Sequence, residues 1–201
     1  MLAAAGLAQA GYNWYYSDAL TAANSAWTQN GSVTYTGSGI TSSSGGALVS
    51  TQTAPVYTND YQVQATINLP GNTSGGYYGV MLRASSNAGS GQGTYYLIEI
   101  QNPTFSGGAC TATLAVTRFI NGSSQQLSAS STWCATSFTL GATVNGSTIV
   151  VLMNGYFALW TSDSGITTGA PGVSIMGAPS GNTIGLTKLG QGDTRCLARL
   201  T

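Results

Sequence analysis

Polar and apolar residues alternate most regularly over residues 61–69. Tyr61, Val63, Ala65, Ile67 and Leu69 recur every second position, separated by Gln62, Gln64, Thr66 and Asn68. A period of two is that of a strand with one face buried, and Pro70-Gly71 ends it. Two further apolar-rich runs, 77–83 and 95–101, flank a Gly/Ser/Asn stretch at 87–93 that reads as a loop. Residues two apart share one face of a strand. Tyr77, Gly79, Met81 and Arg83 therefore form one set, and Tyr95, Leu97, Glu99 and Gln101 another. If both sets point the same way, a tyrosine-rich surface carries one acid, one base and one amide. Tyr77-Tyr78 and Tyr95-Tyr96 are adjacent pairs. One tyrosine of each pair must face away from the other, which favours an outward aromatic patch.

The same pattern predicts strands over 14–16, 27–29, 32–36, 47–51, 111–120, 125–133, 137–144, 148–153, 156–161, 172–176 and 183–189. Asn-Gly at 30–31, 121–122, 145–146 and 154–155 marks four hairpin turns. Residues 40–46 read as a Ser/Gly loop or a weak edge. No helix of three turns is visible, so the chain is expected to be an antiparallel all-β sandwich. Residues 1–10 are expected to be a signal-peptide remnant or an N-terminal arm, because Ala8-Gln9-Ala10 has the small-x-small form of a cleavage site. The sandwich is expected over 11–190, with a tail over 191–201. Cys110 and Cys134 are nearly equidistant from Asn121-Gly122, so antiparallel pairing predicts a disulfide between them. Cys196 is left over.

Composition narrows the function classes. Of the 201 residues, 42% are hydrophobic but only 5% are charged, and the formal net charge is zero. An ordinary soluble domain carries roughly 25% charged residues. A basic patch for nucleic acid is missing, as is a run of about 18 apolar residues to span a membrane. A surface built from Ser, Thr, Gly, Asn and Gln points to a secreted bacterial protein, or to one that self-associates for want of electrostatic repulsion. His is absent. That removes Ser-His-Asp and Cys-His nucleophile arrangements and His-based metal sites. Asn30, Asn72, Asn121 and Asn145 head Asn-x-Ser/Thr triplets, three of which double as Asn-Gly turns.

The ordered motifs resemble the concanavalin A-like lectin/glucanase superfamily in its laminin-G-like bacterial branch. They are Tyr16-Ser17-Asp18-Ala19-Leu20 with Trp27, Gly79-Val80-Met81-Leu82-Arg83, Tyr95-Tyr96-Leu97-Ile98-Glu99-Ile100, Val144-Asn145-Gly146 and Met153-Asn154-Gly155. Asp163 to Gly169 and Gly172-Val173 resemble the late loop and strand, and the likeness spans roughly residues 12–190. The resemblance implies a two-sheet jelly roll with one concave, glycan-binding sheet. It also implies bound calcium in lectin members, and a Glu-x-Asp-x-x-Glu strand in glucanases. Here Glu99 is followed two residues on by Gln101 rather than Asp.

The acids number five: Asp18, Asp60, Glu99, Asp163 and Asp193. Glycoside hydrolysis uses two carboxylates, and Glu99 with Asp163 is the pair to test. Against it stands pairing of Glu99 with Arg83 across adjacent strands. Tyr77, Tyr95 and Trp160 are candidates to stack on sugar rings, with Arg83, Glu99 and Gln101 as hydrogen-bonding partners. Asp163 is a candidate calcium ligand or, more simply, the cap of an Asx-turn, and Asp18 reads the same way. The expectation is a secreted, non-catalytic carbohydrate-binding or adhesion module. Its rivals are a glycan hydrolase using Glu99 and a structural subunit of an extracellular filament or surface layer.

Overall fold

In the computed structural model residues 13–52, 59–70, 73–89 and 91–191 are described, and every regular element among them is a strand. Residues 1–10, the tail beyond 191 and Cys196 lie outside the described residues. The first sheet contains β1 (Asn13–Asp18), β3 (Thr34–Thr36), β4 (Gly39–Thr41), β6 (Tyr61–Asn68), β11 (Ser137–Asn145), β12 (Thr148–Met153), β13 (Tyr156–Ser162) and β15 (Thr183–Gln191). Its order is β13-β12-β11-β6-β15-β4-β3, with β1 also pairing β15. The second contains β2 (Trp27–Gly31), β5 (Gly46–Ser50), β7 (Tyr77–Ala84), β8 (Tyr95–Ser106), β9 (Ala109–Ile120), β10 (Ser123–Cys134) and β14 (Ala170–Met176). Its order is β10-β9-β8-β7-β14-β5-β2. All pairings are antiparallel. The two sheets stack face to face as an antiparallel sandwich.

Between the sheets lies one core. From β6 come Tyr61, Val63, Ala65 and Ile67, the set the alternation predicts. From the facing sheet come Tyr78, Val80 and Leu82 of β7, Tyr96, Ile98 and Ile100 of β8, and Leu114 and Val116 of β9. The even-numbered residues of β7 and β8 thus point inward, and most odd-numbered ones point out of the sandwich. A second, smaller cluster sits on that outer side: Ala47, Val49, Met81, Ala84, Ala88, Tyr95 and Leu97, with Phe119 packed against it. Loop residues 85–89 fold over this part of the sheet and bring Ala88 into the cluster.

Three of the four Asn-Gly dipeptides turn hairpins: β9 to β10, β11 to β12 and β12 to β13. Asn121 and Gly122 have φ of 50° and 83°, and Asn154 and Gly155 have 51° and 80°, the double positive φ of a type I′ turn. Asn30-Gly31 departs from the expectation. Both residues lie inside β2 and pair with Ala47 and Gly46 of β5. The Asn30 amide donates to the Ser86 and Ala88 carbonyls, 2.8 and 2.9 Å away, so its side chain anchors the covering loop. The chain then crosses to the other sheet, where β3 pairs β4. Of residues 40–46, expected to be a loop or weak edge, Ile40 and Thr41 belong to β4 and Gly46 opens β5.

The expected Cys110–Cys134 disulfide is present, with Cα atoms 4.9 Å apart at directly paired positions of β9 and β10. It closes the open end of the hairpin. Closing a loop of this size stabilises by about 3 kcal/mol in the chain-entropy description. Reduction, or a Cys110→Ala/Cys134→Ala double substitution, should lower the urea midpoint accordingly, which equilibrium denaturation measures.

Candidate functional site

The strand register decides which predicted residues meet. Tyr77 pairs Gln101, and Gly79 pairs Glu99. Gln101 pairs Thr113 and Glu99 pairs Ala115 on β9, and those two pair Ser131 and Ala129 on β10. On β14, Met176 pairs Tyr77 and Ser174 pairs Gly79. Directly paired residues share a face. Two rows therefore cross the outer side of the seven-stranded sheet: Ser131–Thr113–Gln101–Tyr77–Met176 and Ala129–Ala115–Glu99–Gly79–Ser174. The second row is small-sided except for Glu99. A Cβ on Gly79 would come within 3.1 Å of the Glu99 Cβ and 2.8 Å of the Leu97 Cδ1, so the position has no room for a side chain. The result is a shallow furrow with one carboxylate at its centre.

Gln101 Nε2 donates to Glu99 Oε1 at 2.8 Å. Burial pushes the Glu99 carboxyl above the usual carboxylate range, and the Gln101 hydrogen bond only partly offsets this. Tyr77 is half-buried, and its hydroxyl accepts from Asn102 Nδ2 at 3.1 Å. Two residues beyond Ser131, on the side of the Gln101 row away from the furrow, stands Trp133, 73% exposed and paired with Thr111. It was not among the sequence candidates. A signal for it existed: once Cys134 faces the core to meet Cys110, alternation sends Trp133 outward, beside the row that holds Gln101.

The other candidates lie elsewhere. Arg83 does not share the face of Tyr77 and Met81. Its backbone is left-handed, with φ of 51°, beside the irregularity in β14 pairing, and this breaks the alternation. Only 3% exposed, its guanidinium donates to the carbonyls of Asn59 and Ile166 and pairs with Asp60 Oδ1 at 3.2 Å. The expected Glu99–Arg83 pair is therefore not formed. Tyr95 does lie on the outer side, but beneath the covering loop. It is 2% exposed, and its ring stacks on Phe119 with centroids 4.5 Å apart, so its face is taken. Burial raises its hydroxyl to about 12.

Asp163 is not brought to Glu99. Tyr96, which points to the core side of β8, donates its hydroxyl to Asp163 Oδ1 at 2.6 Å and accepts from the Ile166 N–H at 2.9 Å. The Gly165 N–H also reaches Asp163 Oδ1, the Asx-turn geometry, and Arg118 pairs with Oδ2 at 2.7 Å. Burial alone would raise the Asp163 carboxyl. The bonds from Tyr96, Gly165 and Arg118 outweigh it and hold the group below the usual range. Asp18 is likewise an Asx-turn cap to Leu20, and it also receives Tyr16, Asn24 and Trp27. Among the described residues no three His, Cys, Asp or Glu side chains gather as a metal site. Replacing Tyr96 by Phe should cost about 1–3 kcal/mol, because the buried Ile166 N–H loses its acceptor and Asp163 Oδ1 loses one of its two donors; thermal unfolding reads this directly. Trp160, 59% exposed, lies on the other sheet and faces away from this furrow.

This arrangement can hold a neutral, hydroxyl-rich ligand: an acceptor-rich centre in Glu99 and Gln101, with aromatic surface at Tyr77 and Trp133. Among the described residues Glu99 is the one carboxylate on this face. No protein-family model matches the chain, and no curated protein matches it. Solved structures do. A carbohydrate-binding module, CBM66 from Bacillus subtilis, superposes with a TM-score of 0.57 at 14% identity, covering 83% of this chain and 92% of that one. The carbohydrate recognition domain of Emp46p, in a potassium-bound form, superposes with a TM-score of 0.61 at 14% identity over 91% of this chain and 100% of its own. A legume lectin-like domain from Entamoeba histolytica gives 0.56 at 11% identity over 83% and 90%. At such identities the likeness establishes the fold: a lectin-like jelly roll of the concanavalin A type. No helix among the described residues is long and apolar enough to cross a membrane.

Proposed function

We propose that this protein is an extracellular, non-catalytic carbohydrate-binding module, and that it holds a neutral polysaccharide on the outer face of the seven-stranded sheet. The observation that carries the reading is Glu99: a half-buried carboxylate without a cationic partner among the described residues, in a furrow of small side chains, hydrogen-bonded to Gln101, with aromatic surface at Tyr77 and Trp133 on the same face. Unpaired, a buried carboxylate is costly. Vicinal sugar hydroxyls supply the donors it lacks, and Tyr77 and Trp133 supply apolar surface for the ring faces. Carbohydrate-binding folds among the structural neighbours support the same reading. Hydrolysis would need a second carboxylate on this face, and Asp163 is committed to Tyr96, Gly165 and Arg118. A disulfide supports an oxidising compartment.

The test is binding of a panel of neutral polysaccharides by affinity electrophoresis, with assay for released sugar. Trp133→Ala should weaken retardation about tenfold while leaving the melting curve unchanged, since the side chain is largely exposed and stacking contributes about 1 kcal/mol or more. Unchanged retardation by this variant, or released reducing sugar, would refute the proposal.

A further inference from the structure

We propose a second, independent saccharide site on the opposite side of the sandwich, on the outer face of the sheet that contains β6. Register again sets the geometry. Trp14 pairs Gly190, Gly190 pairs Gln62, Gln62 pairs Thr143, Thr143 pairs Val150, and Val150 pairs Trp160. This row runs across six strands with a tryptophan at each end, a span of ~24 Å at the usual strand spacing. Beside it runs a second row, Lys188–Gln64–Gly141–Leu152–Phe157. Where the rows meet, Trp14, Gln62, Gln64, Thr139, Gly141, Leu152 and Gly155 line a groove of about 240 Å³.

The chemistry of the groove selects its ligand. Its polar side-chain groups are two amides, a hydroxyl and the Trp14 indole N–H, and none of the lining residues is a carboxylate. Lys188 lies beside it with Nζ 5.9 Å from the Trp14 ring centroid. Gln62 is 2% exposed, and among the described residues its Oε1 has no hydrogen-bond partner. An unpartnered buried amide oxygen is costly, and a rotation of the Gln62 side chain toward the groove would let a ligand hydroxyl supply the donor it lacks. At Gly141 the floor is open: an added Cβ would sit 3.6 Å from Gln62 Nε2 and 3.7 Å from Leu152 Cβ, ordinary contact distances. Beyond the groove, Phe157 and Trp160 are 46% and 59% exposed and continue the same face with apolar surface. Amides and hydroxyls at the centre, aromatics at the ends and a length of several strands fit an extended neutral oligosaccharide. A charged ligand would find no matching partner for an anion other than Lys188, and none for a cation. Two such faces on opposite sides of one small domain would let a single molecule bridge two polysaccharide chains.

Isothermal titration with neutral hexasaccharides (cello-, laminari-, xylo- and mannohexaose) tests this. The wild type should bind two equivalents of one of them. A Glu99→Ala/Trp133→Ala variant should keep one equivalent, and Gly141→Leu, which fills the groove, should also keep one. Combining them should leave none. Trp14→Ala, checked by its melting curve, guards against a folding defect in Gly141→Leu and should weaken the second site at least tenfold. If Gly141→Leu and Trp14→Ala leave stoichiometry and affinity unchanged, the second site is refuted while the first stands. If they abolish binding that Glu99→Ala leaves intact, the first site is refuted and the second stands. Failure of the wild type to bind any of the four refutes the second site. So does a dimer that Trp160→Ser dissociates without any effect on sugar, because the face is then an interface between copies of this chain.

Discussion

Replacing Tyr95 by Ala should destabilise the fold by about 3–5 kcal/mol, a fall in melting temperature of roughly 10 °C or more for a domain of this size. The physical reason is its surroundings. Tyr95 is 2% exposed, stacked on Phe119, and packed with Leu97, Met81 and Ala88 in the small cluster under loop residues 85–89. Truncation leaves a cavity that the sheet below cannot fill, because β7, β8 and β9 are fixed by their ladders. It also removes the surface on which the loop rests. Any loss of sugar binding should therefore accompany unfolding, and binding measured well below the melting transition should fall by much less than for Trp133→Ala. A Tyr95→Ala protein with a wild-type melting curve and abolished binding would show that the ring meets ligand rather than core.

Substitution of Glu99 should separate binding from stability in the opposite direction. Glu99→Ala should lose about 10- to 100-fold in saccharide affinity, the loss expected for hydrogen bonds to a charged acceptor. The same protein should not melt earlier for loss of an ion pair, since Arg83 pairs with Asp60 and not with Glu99. Glu99→Gln should melt roughly 2–4 °C higher at neutral pH, the shift that ~1 kcal/mol produces here. The sign follows from the raised carboxyl. The folded state holds this proton to higher pH than the unfolded chain does. The contribution of Glu99 to stability is thus greatest below the ordinary carboxylate pKa and falls as pH rises through the raised folded value. Asp18 and Asp163 behave oppositely: their folded carboxyls are depressed, and the stability they add above the ordinary range is lost as pH falls through the folded values. A pH series of melting curves should show Glu99→Gln gaining most near neutrality and least in acid. Affinity should rise with pH as Glu99 ionises, and the Gln variant should flatten that rise.

Most of the architecture was legible because period-two patterning is a local signal. Tyr61, Val63, Ala65 and Ile67 point inward as their spacing requires, and three Asn-Gly turns set the hairpins between β9 and β13. Cys110 and Cys134 meet because a hairpin with a defined turn has a defined register. The rest depended on interactions distant in sequence. Asn30-Gly31 has the composition of a turn, but the Asn30 amide is held by carbonyls more than fifty residues away. Arg83 sits at an odd position of a regular strand, yet one left-handed backbone angle redirects it toward Asp60 and Ile166. Tyr95 has the correct face and the wrong exposure, because spacing says nothing about which loop folds over a sheet. Trp160 shares its chemistry with Tyr77 but lies on the other sheet. The half of the candidate site that alternation places, Tyr77, Glu99 and Gln101, was visible; Trp133 needed the disulfide register as well.

The order of strands also bears on how the molecule assembles. β7, β8, β9 and β10 are consecutive in the chain and adjacent in space, whereas β6 must find β11 and β15, and β14 must find β5 and β7. Closing short loops is entropically cheaper and faster than closing long ones. The four-strand meander that carries Tyr77, Glu99, Gln101 and Trp133 therefore rests on local contacts, as does the β11-β12-β13 meander of the other sheet. The surface on which we propose that sugar binds is thus set by near-neighbour pairing, whereas the core beneath it needs the distant strands to dock.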